Sequence, residues 1–465
     1  MKLTLGDVQH CLTGMAEDCR ECRAINAVRT DSRAVEPGDL FFCIEGWNFD
    51  GHEFAAQAEA RGAVAVVASR MPEGVTVPVI MVRDTIRALG QLASCWRDLC
   101  GARLVAVTGT AGKTTVKEML AAVVSRKFTV ARNYRNLNNQ IGLPVSMLKA
   151  DSGQEVWIME LGISIKGDME ELAVIASPDV AVITNVGPGH LEGLGDVAGV
   201  AKAKTSLLKY MRQDGTVIVS KDYPELWEAA IELAGSPVSF STRDESATCH
   251  AAFLGADDDG RGRFRLHTPT GQGEFTAPFC GEHYAENVAC VAAAANALGL
   301  TFDDIVAGMQ TMEADCQRFC CRPLGNALVI DDTYNANPLS MARSIRTAVS
   351  MAKGRPLVLV LGDMRELGNE AQARHEELGR LIRDAAPRAV FFKGAHCGDV
   401  LCGLDGGTEF TEVKGPDEFL AAWRDMELAD AVVLVKGSRS LKMEAFAAAL
   451  CRELDGKAGT QGGAR

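Results

Sequence analysis

At 465 residues with a formal charge of -13, the chain is too long for one core and too acidic for nonspecific nucleic-acid binding, which needs a basic face. Its length predicts roughly three domains, and no apolar run approaches the length that spans a bilayer. Fifteen cysteines without regular spacing, in a chain with no signal peptide, predict free thiols and a soluble protein in a reducing cytoplasm. Cys19 and Cys22 form the one Cys-x-x-Cys that stands out, and without a second pair free thiols are favoured over zinc.

In residues 1–98, Leu40 to Ile44, Ala63 to Ala68 and Val77 to Val82 read as strands, with a helical stretch between Phe54 and Arg61, which makes a small α/β module. Asp31, Ser32 and Arg33 precede a Pro-Gly turn. Loop donors of this kind can hold a nucleotide or diphosphate, although taken alone such a turn is more often simply solvated.

Residues 99–312 form the central domain, organised around the stretch Arg103 to Lys127. Leu104 to Val107 read as a buried strand, and Val116, Met119, Leu120, Val123 and Val124 recur at helical spacing. Between them lies Gly109, Thr110, Ala111, Gly112, Lys113, Thr114, Thr115. The glycines let the backbone turn its N–H groups inward, and the helix N-terminus adds roughly half a positive charge, so the loop is built for phosphate. Lys113 is placed to reach the β/γ-phosphates and the Thr114 hydroxyl to ligand Mg²⁺, although Val107 stands where the strict motif has its first glycine.

Two further strands finish on polar residues. Val156 to Met159 runs into Glu160, and Val180 to Thr184 into Asn185. Ligands collect beyond the carboxyl ends of parallel strands, so Glu160, Asn185 and His190 are expected to share a rim with Lys113 and Thr114, an arrangement that favours Mg²⁺ ligation. Asn133 to Pro144, which holds Asn136, Asn138 and Asn139, is amide-rich and reads as a loop. Residues 240–280 suggest antiparallel hairpins, with Asp257 to Asp259 in a solvated turn, and Asn287 to Leu298 form an alanine-rich helix.

A boundary near Asp315 to Pro323 precedes a third α/β module in residues 313–455. Its strands Ala327 to Ile330, Leu357 to Leu361, Ala389 to Phe392 and Ala431 to Val435 again end near charged residues. With no phosphate loop of its own, this module is expected to supply a second substrate site and close over ATP. The glycine-rich tail 456–465 is expected to be disordered.

Taken together the motifs resemble the Mur ligases of bacterial peptidoglycan synthesis. The resemblance rests on TDSR at 30–33, TGTAGKTT at 108–115, NLNNQIGLP at 136–144, ELG at 160–162, ITNVGPGHLEGLG at 183–195, AKAK at 201–204, GEHYAEN at 281–287, IDDTYNANPLSM at 330–341, LGDMRELG at 361–368 and KGSR at 436–439. Within the family, the Tyr-Asn-Ala-Asn-Pro run at 334–338 favours the dipeptide-adding member.

The resemblance implies a three-domain ligase with a P-loop parallel-sheet centre and a Rossmann-like C-terminal domain. The first domain would hold UDP, the second ATP and Mg²⁺, and the third D-Ala-D-Ala. UDP-N-acetylmuramoyl-tripeptide would be the acceptor, and the enzyme would be a monomer of the cytoplasm. By the same likeness Asn287 would contact adenine, Arg318 and Asp332 would bind the nucleotide, and Asn136, Asn138 and Asn139 would lie near the sugar nucleotide. Tyr334, Asn335 and Asn337 would bind substrate. Lys204 matches a lysine carried as a carbamate, which joins Thr114, Glu160 and His190 around metal. Arg135, Gly189, Tyr284, Thr205 and Ser206 depart from the family pattern, as do Ser164 and Ile165. A ligase for another amine, and an ATP-binding regulatory module that hydrolyses little, stay open as rivals.

Overall fold

The computed structural model describes residues 3–14, 23–46, 49–134, 136–189, 191–257, 261–312 and 317–461. Cys19, Cys22, Arg135, His190, Asp258 and Asp259 therefore lie outside the described residues, as do parts of the boundary predicted from Asp315. Strand-rich runs near the N-terminus form a parallel sheet in the order Val28–Arg29, Leu40–Phe42, Ala65–Ala68 and Val79–Met81, beside a small antiparallel pair, Leu3–Thr4 with Ala24–Ile25.

The helix Thr85–Cys100, which the sequence reading left unassigned, crosses the predicted boundary at 98/99. Asp84 caps it by accepting from the N–H groups of Ile86 and Arg87, and Gly101 ends it with φ +66°. Leu89, Leu92, Ala93 and Trp96 are buried, and the Trp96 indole donates to the Ala150 carbonyl at 2.9 Å. One apolar cluster consequently runs from the N-terminal module through this helix into one face of the central sheet.

Arg97 fixes the join. Its guanidinium is 2.5 Å from Asp179 and donates to the carbonyls of Ala176, at 2.7 Å, and Ser177, while Asp179 also accepts from the Leu104 N–H at 2.7 Å. Burial pushes the Arg97 pKa down, with Asp179 opposing. We expect Arg97→Met to destabilise the fold by about 3 kcal/mol, because it strands two carbonyls and most of a carboxylate. A fall in the urea midpoint at unchanged slope is the measurement.

The expectation of free thiols throughout is corrected here. Cys11, in the helix Leu5–Thr13, and Cys95, in Thr85–Cys100, are joined as a disulfide across a sequence separation of 84. A pairing so distant in sequence depends on two helices meeting, which spacing alone does not reveal.

The central sheet has nine strands in the order Gly271–Ala277, Gly262–Thr268, Cys249–Ala256, Val238–Ser241, Thr216–Ser220, Val180–Ile183, Arg103–Thr108, Val156–Glu160 and Val130–Arg132. Pairing is parallel from Val130–Arg132 to Cys249–Ala256 and antiparallel beyond it, so the hairpins expected in 240–280 extend the parallel sheet. Against one face pack the helix Lys113–Val124, with Val116, Met119, Leu120, Val123 and Val124 all fully buried, and the helix Glu282–Ala297. The latter buries every residue from Tyr284 to Ala295. The amide-rich stretch is a loop only to Ile141, where the helix Gly142–Lys149 begins.

The third module is a six-stranded sheet in the order Cys320–Leu324, Ala327–Asp332, Val432–Lys436, Leu357–Gly362, Ala389–Lys393 and Glu409–Glu412, parallel except for its first strand. An apolar cluster joins it to the central sheet through the alanine-rich helix. The last helix, Glu444–Gln461, continues into the segment predicted to be disordered from Gly456, and 462–465 lie outside the described residues. Among the described residues no helix is long and apolar enough to cross a membrane.

Candidate functional site

Strand Arg103–Thr108 sits between two parallel neighbours, with Val107 opposite Glu160 and Thr108 opposite Ile183. That register brings the phosphate loop, Glu160 and the residues after Ile183 to one sheet edge. Gly109 has φ +153°, and a Cβ there would sit 1.9 Å from the Thr184 hydroxyl; Gly112 has φ +80°, and a Cβ there would sit 2.8 Å from Asn287 Oδ1. Only glycine meets both the backbone and the space requirement at these positions.

A cavity of about 630 Å³ opens over this edge. Thr110 to Thr115 of the loop, Asn136, Asn138, Asn139 and Glu160 line it from the central module. From the far side come Asn287 on the alanine-rich helix and Arg318, Asp332, Tyr334, Asn335 and Asn337 of the third module. Lys113 Nζ donates to the Gly109 carbonyl at 2.9 Å and reaches that of Thr110 at 3.5 Å. Burial pushes its pKa down, with Glu160 opposing.

Glu160 is held from several directions. Its Oε2 accepts from the Thr114 hydroxyl at 2.6 Å and its Oε1 from Asn138 Nδ2 at 2.8 Å. The fully buried Asn133 donates to the Glu160 carbonyl and accepts from its N–H, each at 3.0 Å. Asn133 went unassigned in the sequence reading; its only signal was its place at the head of the amide-rich run. A buried hydroxyl beside a buried carboxylate is a hard-oxygen pair that suits Mg²⁺, which takes one or two carboxylates together with phosphate oxygens. Thr114 and Glu160 therefore fit the cation.

Lys204 lies on the helix Val197–Thr205 with 1% exposure. Burial, reinforced by Lys113, pushes its pKa well down, toward the neutral amine. A neutral lysine amine is the form that adds CO₂, so this environment fits a carbamate. His190 lies outside the described residues. Asn185, expected on the metal rim, has its side chain committed elsewhere: it accepts from the Ala111 N–H at 2.8 Å and donates to the Ala111 carbonyl and to Glu286, each at 3.1 Å. It therefore lies on the expected rim, with its side chain bracing the loop.

Several amide and acid side chains expected at substrate carry local bonds. Asn337 caps the helix Pro338–Ala352 by accepting from the Ser340 N–H at 2.8 Å, while its Nδ2 reaches the Thr110 carbonyl at 3.4 Å. Asn139 accepts from the Gly142 N–H at 2.8 Å. Asp332 accepts from Lys436 Nζ at 2.6 Å and from the Ser344 hydroxyl at 2.5 Å. Lys436, not named as a site residue from sequence, lies opposite Asp332 in the parallel register and also lines the cavity. The Arg318 guanidinium lies 3.8 Å over the Tyr334 ring.

Asp31, Ser32 and Arg33 are apart from this cavity, on the short turn Ser32–Ala34. Arg33 pairs with Asp31 through both carboxylate oxygens, at 2.9 and 2.8 Å, which holds the Asp31 pKa down at about 2. The Ser32 hydroxyl donates to Gln57 at 2.7 Å.

Residues 24–97 match the model described as Mur ligase family, catalytic domain, residues 107–295 the Mur ligase middle domain, and residues 317–439 the Mur ligase glutamate ligase domain. The chain is 34% identical over 436 residues to the UDP-N-acetylmuramoyl-tripeptide--D-alanyl-D-alanine ligase of Escherichia coli (strain K12), covering 92% of this chain and 94% of that one. Among solved structures, MurF from Acinetobacter baumannii superposes with a TM-score of 0.88 at 31% identity, covering 97% of this chain and 99% of that chain. MurF ligase from Thermotoga maritima in complex with ADP gives 0.85 at 26% identity, covering 93% and 98%.

Proposed function

Since this chain belongs to the Mur ligase family, we propose that it is an ATP-dependent ligase that joins D-alanyl-D-alanine to UDP-N-acetylmuramoyl-tripeptide, forming ADP and phosphate. The observation that carries this reading is a phosphate loop with a Thr114–Glu160 pair beside it, inside a cavity that the third module closes.

The tripeptide's terminal carboxylate attacks the γ-phosphorus of ATP, and the bond to the ADP oxygen breaks. The dipeptide amine then attacks the acyl carbon, loses a proton and expels phosphate. Two anions must approach in the first step, so positive charge has to be gathered at the transferring group. Lys113, the inward N–H groups of the loop and the N-terminus of Lys113–Val124 supply it. Mg²⁺ held by Thr114 and Glu160, with His190 and a Lys204 carbamate completing the set, would neutralise further phosphate charge.

Asn287 serves the adenine side, and Arg318 with Asp332 bind nucleotide from the third module. We assign residues 1–98 to UDP through Asp31, Ser32 and Arg33, 99–312 to ATP, and 313–455 to the dipeptide through Tyr334, Asn335 and Asn337. Asn136, Asn138 and Asn139 lie on the sugar-nucleotide side. We further place the enzyme in the cytoplasm as a monomer.

Phosphate release assayed with the muramyl tripeptide, with D-Ala-D-Ala, with both and with neither tests the reading. Sustained release only with both is expected. Release that needs a different amine makes the chain a relative with another substrate, and nucleotide binding without release under every condition makes it a non-catalytic module.

A further inference from the structure

Arg343 belongs to the third module, on the helix Pro338–Ala352, yet its guanidinium is spent on the central one. Nη1 lies 2.7 Å from Glu286 Oε2, and Nη2 donates to the Tyr223 hydroxyl. The Glu286 side chain is only 4% exposed, so its charge depends on the cation beside it.

The same oxygen, Glu286 Oε2, accepts from Asn185 Nδ2. Asn185 in turn brackets Ala111 of the phosphate loop through both its N–H and its carbonyl, and the Asn185 backbone carbonyl accepts from the Thr110 N–H at 3.0 Å. The residue after Glu286, Asn287, lies beside Gly112, where a Cβ would come within 2.8 Å of its Oδ1. A continuous polar chain thus runs from the third module, through one carboxylate oxygen, to the backbone that receives phosphate. Were the third module to swing away, Glu286 would lose its cation and the geometry of Asn185 would lose its anchor.

We propose that Arg343 is a positioning residue through which docking of the third module sets the shape of the phosphate loop, so that ATP is held tightly only while the two modules are closed. This rests on the cavity being the nucleotide site of the proposed ligase. The coupling is carried by a contiguous network with two arrangements, docked and undocked, which both the nucleotide and the module contact bias.

The test measures ATP affinity by displacement of a fluorescent ATP analogue, alongside melting temperature, for Arg343→Met, Arg343→Lys, Glu286→Gln and the Met/Gln double variant. Arg343→Met is expected to weaken ATP by about tenfold, and Arg343→Lys to recover most of that loss by keeping one cationic contact. The double variant is expected to bind no worse than the weaker single one, since both act on one link.

ATP affinity within twofold of wild type in Arg343→Met, whether or not the melting point falls, overturns the proposal, as do single losses that multiply in the double variant. Should Arg343→Met not fold, the same thresholds apply to Arg343→Gln. Because the titration uses ATP without either ligase substrate, a wild-type chain that fails to release phosphate when given both substrates is recorded separately, as a failure of the ligase reading.

Discussion

Lys113→Ala is expected to lower turnover by on the order of a hundredfold or more, because the lysine carries the one mobile positive charge that the phosphate loop brings to the transferring group. The ammonium sits in a buried position that disfavours its charge, and its hydrogen bonds are to the carbonyls of Gly109 and Thr110. Those carbonyls belong to the loop itself, so the side chain is already folded toward the place where phosphate oxygens enter. Alanine removes that charge and leaves the helix dipole and the N–H groups. Steady-state phosphate release with both substrates is the measurement, with a melting curve to show that the variant is folded. Turnover within threefold of wild type in a folded variant would remove Lys113 from the mechanism.

The second large effect is expected at Glu160, where alanine should reduce turnover by about a hundredfold to a thousandfold and raise the Mg²⁺ concentration needed for half-maximal rate. The position has a bland alternative, a buried carboxylate that merely props Thr114 and Asn138. Glu160→Gln separates the two. It keeps the size and an acceptor for Thr114 but removes the negative charge. A metal ligand should lose nearly as much activity to glutamine as to alanine, whereas a prop should be largely restored by glutamine. Binding of ATP titrated with and without Mg²⁺ supplies a readout independent of turnover: the Mg²⁺-dependent gain in affinity should shrink in both variants.

What could be read in the sequence followed its short-range signals. The strand, loop and helix around Gly109 to Thr115 were legible because the apolar period changes within one window. The juxtaposition of Thr114 and Glu160 was legible because parallel strands deliver their carboxyl ends to a common edge. The same rule brings Asn185 to that edge but leaves its role open, since a strand-end amide can face the ligand or brace the loop, and the partners Ala111 and Glu286 decide between them.

Asn337 and Asn139 illustrate a second ambiguity, because capping and ligand binding ask for the same side chain. The helix Thr85–Cys100 carries its own signal, since Ala88, Leu89, Leu92, Ala93 and Trp96 recur at helical spacing behind the cap Asp84; what the sequence hides is the set of distant elements that bury this face. Arg343 carries no local signal at all: its partners Glu286 and Tyr223 come from another module.

The alanine-rich helix has a further consequence. From Ala285 to Ala295 it meets the sheet mostly through methyl groups and small apolar side chains, so the thickness of that layer fixes how high its N-terminal end stands above the strands. Asn287 rides on that end, beside Gly112, with no room for a Cβ between them. The layer therefore acts as a shim: exchanging a buried alanine for leucine, innocuous on any polarity scale, would tilt the end that frames the nucleotide. Drift along this helix is limited by girth rather than by greasiness.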